Sequence, residues 1–157
     1  MKQTILTLRI TRRAIGAAAI RAGEASLLDG RFLSGPVERA IPGALRYVQK
    51  LIALTEPATV AIDAPKSEHS TLVSQLTDRI EAIIHEQHRT LLRLERQDVL
   101  AAFGVTRVID RRQLRELVAI LWPDTTRVAG NVKPFVADAA AAALYGEARL
   151  ALDPPPV

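Results

Sequence analysis

Cysteine is absent from the 157 residues, which excludes a disulfide framework, a thiolate metal site and a thiol nucleophile. Aromatic residues make up only 4%, so a platform that stacks successive single-stranded bases is poorly supplied. Phe32, Phe103, Trp122 and Tyr145 read instead as core or interface residues. No apolar run approaches the roughly 18 to 20 residues of a membrane span. The opening Met1-Lys2-Gln3-Thr4 leads straight into a strand pattern without the apolar stretch and cleavage site of a signal peptide. A cytoplasmic location with no membrane partner is therefore the expectation. Glycine-rich phosphate loops and dinucleotide fingerprints are missing, and none of the serines stands in a nucleophile elbow with a histidine partner.

What is present describes an ordinary globular protein, 48% apolar and 24% charged. The length is ample for one domain with a real core and short for two. The net charge of +4 and a pI near 10.0 favour polyanionic partners. Lysine occurs only at Lys2, Lys50, Lys66 and Lys133, so arginine carries most of the positive charge. Arginine suits bidentate contact with phosphate, although a GC-rich genome also enriches it whatever the function.

Strands precede helices along the chain. Leu6, Leu8 and Ile10 alternate with Thr7, Arg9 and Thr11, a two-residue period that predicts a strand over about 3–11 with Arg9 on its less apolar face. Two more strands follow near 14–22 and 25–34, with turn signals at Ala22-Gly23 and Asp29-Gly30. Gly35-Pro36 opens a helix striped by Val37, Ile41, Leu45, Val48 and Ile52, which Pro42 is expected to start or kink. Thr59 to Asp63 is a short buried strand. A helix with Leu72, Leu76, Ile80, Ile83 and Ile84 comes next, capped by Ser70 or Thr71. Thr90 to Leu94 is a fifth strand. Short helices near 97–103 and 111–121 lead to a last helix over about 134–150, and residues 153–157 form a proline-rich tail. Residues 1–152 read as a single α/β domain.

Three strands in hairpin connection, then helix, strand, helix, strand and terminal helices, resembles the RNase H-like fold. The motifs narrow the resemblance to RuvC-type Holliday junction resolvases. In that family an acid ends the first strand, a glycine opens strand two seven residues later, a second acid closes strand four, and a final acid lies on the last helix before small residues. Here Gly16 stands seven residues after Arg9, Asp63 closes Val60-Ala61-Ile62-Asp63, and Asp138 precedes Ala139-Ala140-Ala141. The segment from Arg111 to Trp122-Pro123 ahead of the acidic helix is also similar to resolvase-like relatives. The frame matches nearly the whole chain, but its first acid is Arg9. A further ligand that relatives carry three residues before the last acid is Phe135.

The resemblance implies a mixed five-stranded sheet, three antiparallel strands followed by parallel ones, flanked by helices. It also implies a nuclease centre in which two divalent cations about 4 Å apart activate water and stabilise the leaving oxygen. Such cations, Mg2+ or Mn2+, need carboxylate oxygens. Asp63 and Asp138 are the metal ligands left if any metal binds, and alone they hold magnesium poorly. An ion cluster of Arg9, Asp63 and Asp138 is therefore expected in place of the metals, or else Arg9 points to solvent.

Arg12, Arg13, Lys66, Arg111, Arg112 and Lys133, with Arg115 beside them, are candidate nucleic-acid contacts, each also readable as a solvated surface charge. His85 and His88 have the wrong spacing for a zinc-protease helix. The function expected is nucleic-acid binding, to duplex or branched DNA with RNA not excluded, by a catalytically degenerate protein. One alternative is an active structure-selective endonuclease that recruits a ligand such as Glu24, Asp29 or Glu68. Another is a non-catalytic homodimer paired through a helix face. Arg9→Asp is expected to create divalent-ion binding.

Overall fold

The computed structural model describes residues 3–65, 70–104, 110–123 and 130–152. Its elements run β1 (Ile5–Ile10), β2 (Ala14–Arg21), β3 (Glu24–Phe32), α1 (Val37–Thr55), β4 (Thr59–Asp63), α2 (Thr71–Glu86), β5 (Thr90–Leu94), α3 (Arg96–Ala102), α4 (Asp110–Leu121) and α5 (Lys133–Leu152). The strands form one sheet in the order β3-β2-β1-β4-β5. The first three are antiparallel, and β1, β4 and β5 run parallel. This is the mixed sheet that the sequence predicts.

The central strands are buried on both faces, so side-chain alternation sorts residues between two cores rather than between core and solvent. Leu6, Leu8, Ile15, Ala17, Val60 and Ile62 face one way and pack against Val48, Leu51 and Ile52 of α1 and Leu76, Ile80 and Ile84 of α2. Ile5, Ala18, Ile20 and Ala61 face the other way, toward the alanine row Ala139–Ala143 of α5, Val99 of α3 and Leu114 and Val118 of α4. Each fully buried leucine or isoleucine contributes about 1.5–3 kcal/mol relative to an exposed one. Arg9 thus lies on a face that is less apolar but buried, because α5 covers it.

α5 comes close to the sheet because both partners are small where they meet. A Cβ on Gly16 would lie 2.0 Å from the carbonyl oxygen of Phe135, and one on Gly30 would lie 3.0 Å from a methyl of Val136. Gly16 and Gly30 are register partners on β2 and β3. Together they form the seat for the first turn of α5, and Ala139 to Ala143 continue the contact with no accessible surface. This seating fixes the height at which Asp138 meets the sheet.

Two local expectations change, at Asp29-Gly30 and at Pro42. Asp29-Gly30 is not a turn but lies inside β3, where Gly30 is selected by the proximity of α5. The predicted turn at Ala22-Gly23 is the hairpin turn, with φ of 56° and 79°, the double left-handed geometry that suits the twist of paired strands. α1 begins at Val37 after an extended Pro36 and continues through Pro42, whose ring nitrogen leaves only the Glu38 carbonyl without its helical donor. Other expectations hold. Ser70 caps α2 by accepting from the Val73 amide at 3.3 Å, and Glu56, in the left-handed region, closes α1. Phe32, expected in the core or at an interface, is not in the core: it is 40% exposed and meets Phe135 edge-on with ring centroids 6.0 Å apart. The tail at 153–157 lies outside the described residues.

Candidate functional site

The carboxyl ends of the three parallel strands β1, β4 and β5 converge on one edge of the sheet, the place where α/β proteins usually bind ligands. Register puts Arg9 beside Asp63 and Asp63 beside Leu94. Neighbouring strands are about 4.8 Å apart and in-register side chains share a face, so Arg9 and Asp63 are adjacent by construction. Arg9 Nη1 is 3.5 Å from Asp63 Oδ1 and donates to the Asp63 carbonyl oxygen at 3.3 Å. The predicted contact between Arg9 and Asp63 is thus present.

The residue that joins the two acids is a different arginine. After Leu94 the chain turns through Glu95 into α3, and Arg96, the first residue of that helix, folds back across the strand ends. Its Nη1 donates to Asp63 Oδ2 at 2.7 Å, and its Nη2 lies 3.2 Å from Asp138 Oδ1. Arg115, projecting from α4 between the buried Leu114 and Val118, brings its Nε to 3.9 Å from the same Asp138 oxygen. Three guanidinium groups therefore surround two carboxylates. Asp63 has no accessible side-chain surface, Arg9, Arg96 and Asp138 keep 13–14%, and Arg115 keeps 40%. Burial pushes the Asp63 carboxyl above its ordinary range, against the pull of Arg9 and Arg96, and the nearby Asp138 adds to the rise.

Sequence reasoning singled out Asp63, Asp138, Arg9 and the Arg115 helix but not Arg96. The available signal was its position two residues beyond Leu94, the strand partner of Asp63. Arg12 and Arg13 are exposed in the β1–β2 loop, just past the Arg9 end of the sheet. Arg112 is exposed on α4 and pairs with Glu116 at 3.5 Å, one turn along the helix. Lys133 opens α5 and is partly buried. Lys66, Glu68 and the Arg111 side chain lie outside the described residues.

Neither of the other acids considered as substitute ligands can join the site. Asp29 is on the opposite face of the sheet, accepting from the Tyr47 hydroxyl of α1 at 2.9 Å. Glu24 is the register partner of Arg21 at the turn end of the β2–β3 hairpin, the opposite end of the sheet from Arg9.

A magnesium-type cation needs about six oxygen ligands in an open, net negative shell. Here the oxygens of Asp63 are already taken by Arg9 and Arg96, and Asp138 faces Arg96 and Arg115. Among the described residues no three acids, histidines or cysteines come together as a metal site. The donor set does not fit a two-metal centre.

No protein-family model and no curated protein matches the chain. Solved structures do. The chain is similar to RuvC of Thermus thermophilus, with 11% identity and a TM-score of 0.64 over 93% of this chain and 96% of that one. It is also similar to T. thermophilus RuvC in complex with Holliday junction substrate, with 12% identity and a TM-score of 0.67 over the same shares. A third similar structure is the yeast mitochondrial Holliday junction resolvase Ydc2, with 12% identity and a TM-score of 0.67 over 95% of this chain and 80% of that one. Strand order, register and these three structures agree that the chain is built on the RNase H-like fold in its RuvC form.

Proposed function

We propose that the chain binds nucleic acid with a RuvC-like shape and does not hydrolyse it. The observation that carries this reading is the bridge of Arg96 across Asp63 and Asp138, which fills the centre with positive charge where a metal-dependent nuclease needs an open cage of oxygens. The exposed Arg12 and Arg13 lie at the same end of the sheet, and the net charge of +4 favours a polyanion. The structure of T. thermophilus RuvC with a Holliday junction substrate makes branched DNA the first probe.

The test is binding and cleavage of a synthetic four-way DNA junction, with linear duplex as control, across a salt series with and without manganese. Binding that weakens with salt and is not followed by cleavage is the expected result. Manganese-dependent cleavage that disappears in Asp138→Asn identifies a living nuclease and refutes the proposal. Absence of binding to either DNA also refutes it and shifts attention to a protein partner, a second copy of the chain included.

A further inference from the structure

We propose, on the footing of the nucleic-acid reading above, that the Arg9–Arg96–Arg115 centre itself holds a backbone phosphate, with Arg115 as the contacting group and without any divalent cation. Three guanidinium groups stand around two carboxylates at the strand ends. The guanidinium fork matches phosphate geometry and needs no metal to do so.

The three arginines are not equally committed. Arg96 is fixed by contacts of 2.7 and 3.2 Å to two acids, and Arg9 reaches both the side chain and the backbone of Asp63. Arg115 is held more loosely. Its Nε stands 3.9 Å from Asp138, beyond hydrogen-bond distance, and makes no hydrogen bond among the described residues, although the atom itself is buried. The side chain is also the most exposed of the five, at 40%. A buried donor without a hydrogen bond is costly to keep, and a small rotation satisfies it, either onto Asp138 Oδ1, itself without a hydrogen bond among the described residues, or onto a phosphate oxygen. A guanidinium, unlike a metal ion, does not lower the pKa of a bound water into the neutral range, so a phosphodiester held this way is positioned but not split.

The test is fluorescence anisotropy with a labelled four-way junction and linear duplex in excess EDTA and in magnesium at matched ionic strength, over a salt series. Wild-type affinity is expected to be equal in the two conditions. Arg115→Gln should weaken binding several-fold on both DNAs and lower the slope of log affinity against log salt by about 0.9, the share of one phosphate contact. Arg115→Lys should keep the slope and lose part of the affinity. Arg79→Gln, a charge change on α2 across the sheet, should leave the slope closer to wild type. Should Arg115→Gln fail to fold, wild-type protein carries the test: the Arg115 Nε–H resonance is expected to shift on titration with the junction. Unchanged affinity and slope in folded Arg115→Gln, an unmoved resonance, or a requirement for magnesium overturns the phosphate contact while the nucleic-acid reading stands. Absence of wild-type binding overturns both.

Discussion

Arg96→Met is the substitution that weighs the charged centre. It keeps most of the side-chain bulk and removes the guanidinium that touches both acids. Asp63 then stays in a position with no accessible side-chain surface, and Arg9 at 3.5 Å is its remaining counter-charge among the described residues. Breaking one side of a buried ion pair costs about 3–5 kcal/mol. The remaining Arg9 and the option of protonating Asp63 place the expected loss near the lower end, about 3 kcal/mol at pH 7. For a chain of this size that is roughly a 6–12 °C fall in Tm.

The pH dependence adds a signature that a simple packing defect lacks. The folded-state pKa of Asp63 is already raised by burial, and Arg96 is one of the two groups pulling it down. Removing Arg96 raises it further. A carboxyl with a raised folded pKa favours the folded state below its unfolded value, near 3.9, and loses that advantage as pH rises through the folded value. The deficit of the variant should therefore be largest at neutral pH and shrink on acidification toward pH 4. Urea unfolding of both proteins at pH 7, 6, 5 and 4 measures it, and adding Asp63→Asn should recover more than half of the loss at pH 7. A deficit under about 1 kcal/mol at pH 7, or one that does not change with pH, would falsify the ionic account of the centre.

Gly16→Ala should cost about 3 kcal/mol or more, or prevent folding, because its Cβ would meet the Phe135 carbonyl oxygen at 2.0 Å; a loss below about 1 kcal/mol in urea unfolding would show that α5 yields. Thr7→Val should gain about 1 kcal/mol, since the Thr7 hydroxyl is buried without a hydrogen-bond partner among the described residues and valine has the same shape; destabilisation would reveal a partner for that hydroxyl. Arg9→Asp alone, which the sequence frame suggests is enough, should not bind manganese while Arg96 spans the two acids, whereas Arg9→Asp with Arg96→Gln should bind it and rise in Tm with manganese concentration. Equal binding by the single and double variants would remove Arg96 as the obstacle.

The order of elements was legible because each strand and helix carries its own period. Leu6, Leu8 and Ile10 mark β1, and the Leu76, Ile80 and Ile84 row marks α2. The pairing of Arg9 with Asp63 was legible once β1 and β4 were set side by side. Arg96 was not, because nothing local distinguishes it from any arginine at a helix start. Its role exists only through the parallel register that puts Leu94 next to Asp63 and the turn that follows. Gly30 misled for the same reason. Beside Asp29 it looks like a turn, and only the approach of Val132 and Val136 across the sheet explains a glycine within β3. Pro42 suggested a helix boundary, but it sits early enough in α1 that a single lost hydrogen bond is outweighed by the stripe of apolar contacts on either side.

Stability alone does not account for five charged side chains at the strand ends. Well-packed apolar residues of similar volume are usually as stable as a buried ion cluster, and often more so. The cluster is stabilising only relative to versions of itself with one member removed. Arg96 alone already touches both acids, and the most exposed of the three arginines, Arg115, is also the most loosely held. Pairing two carboxylates does not need a third guanidinium held so loosely. That guanidinium, placed where three parallel strands end, is what a bound anion would use, and this makes the salt slope of Arg115→Gln more informative than any cleavage assay about why the centre keeps its charges.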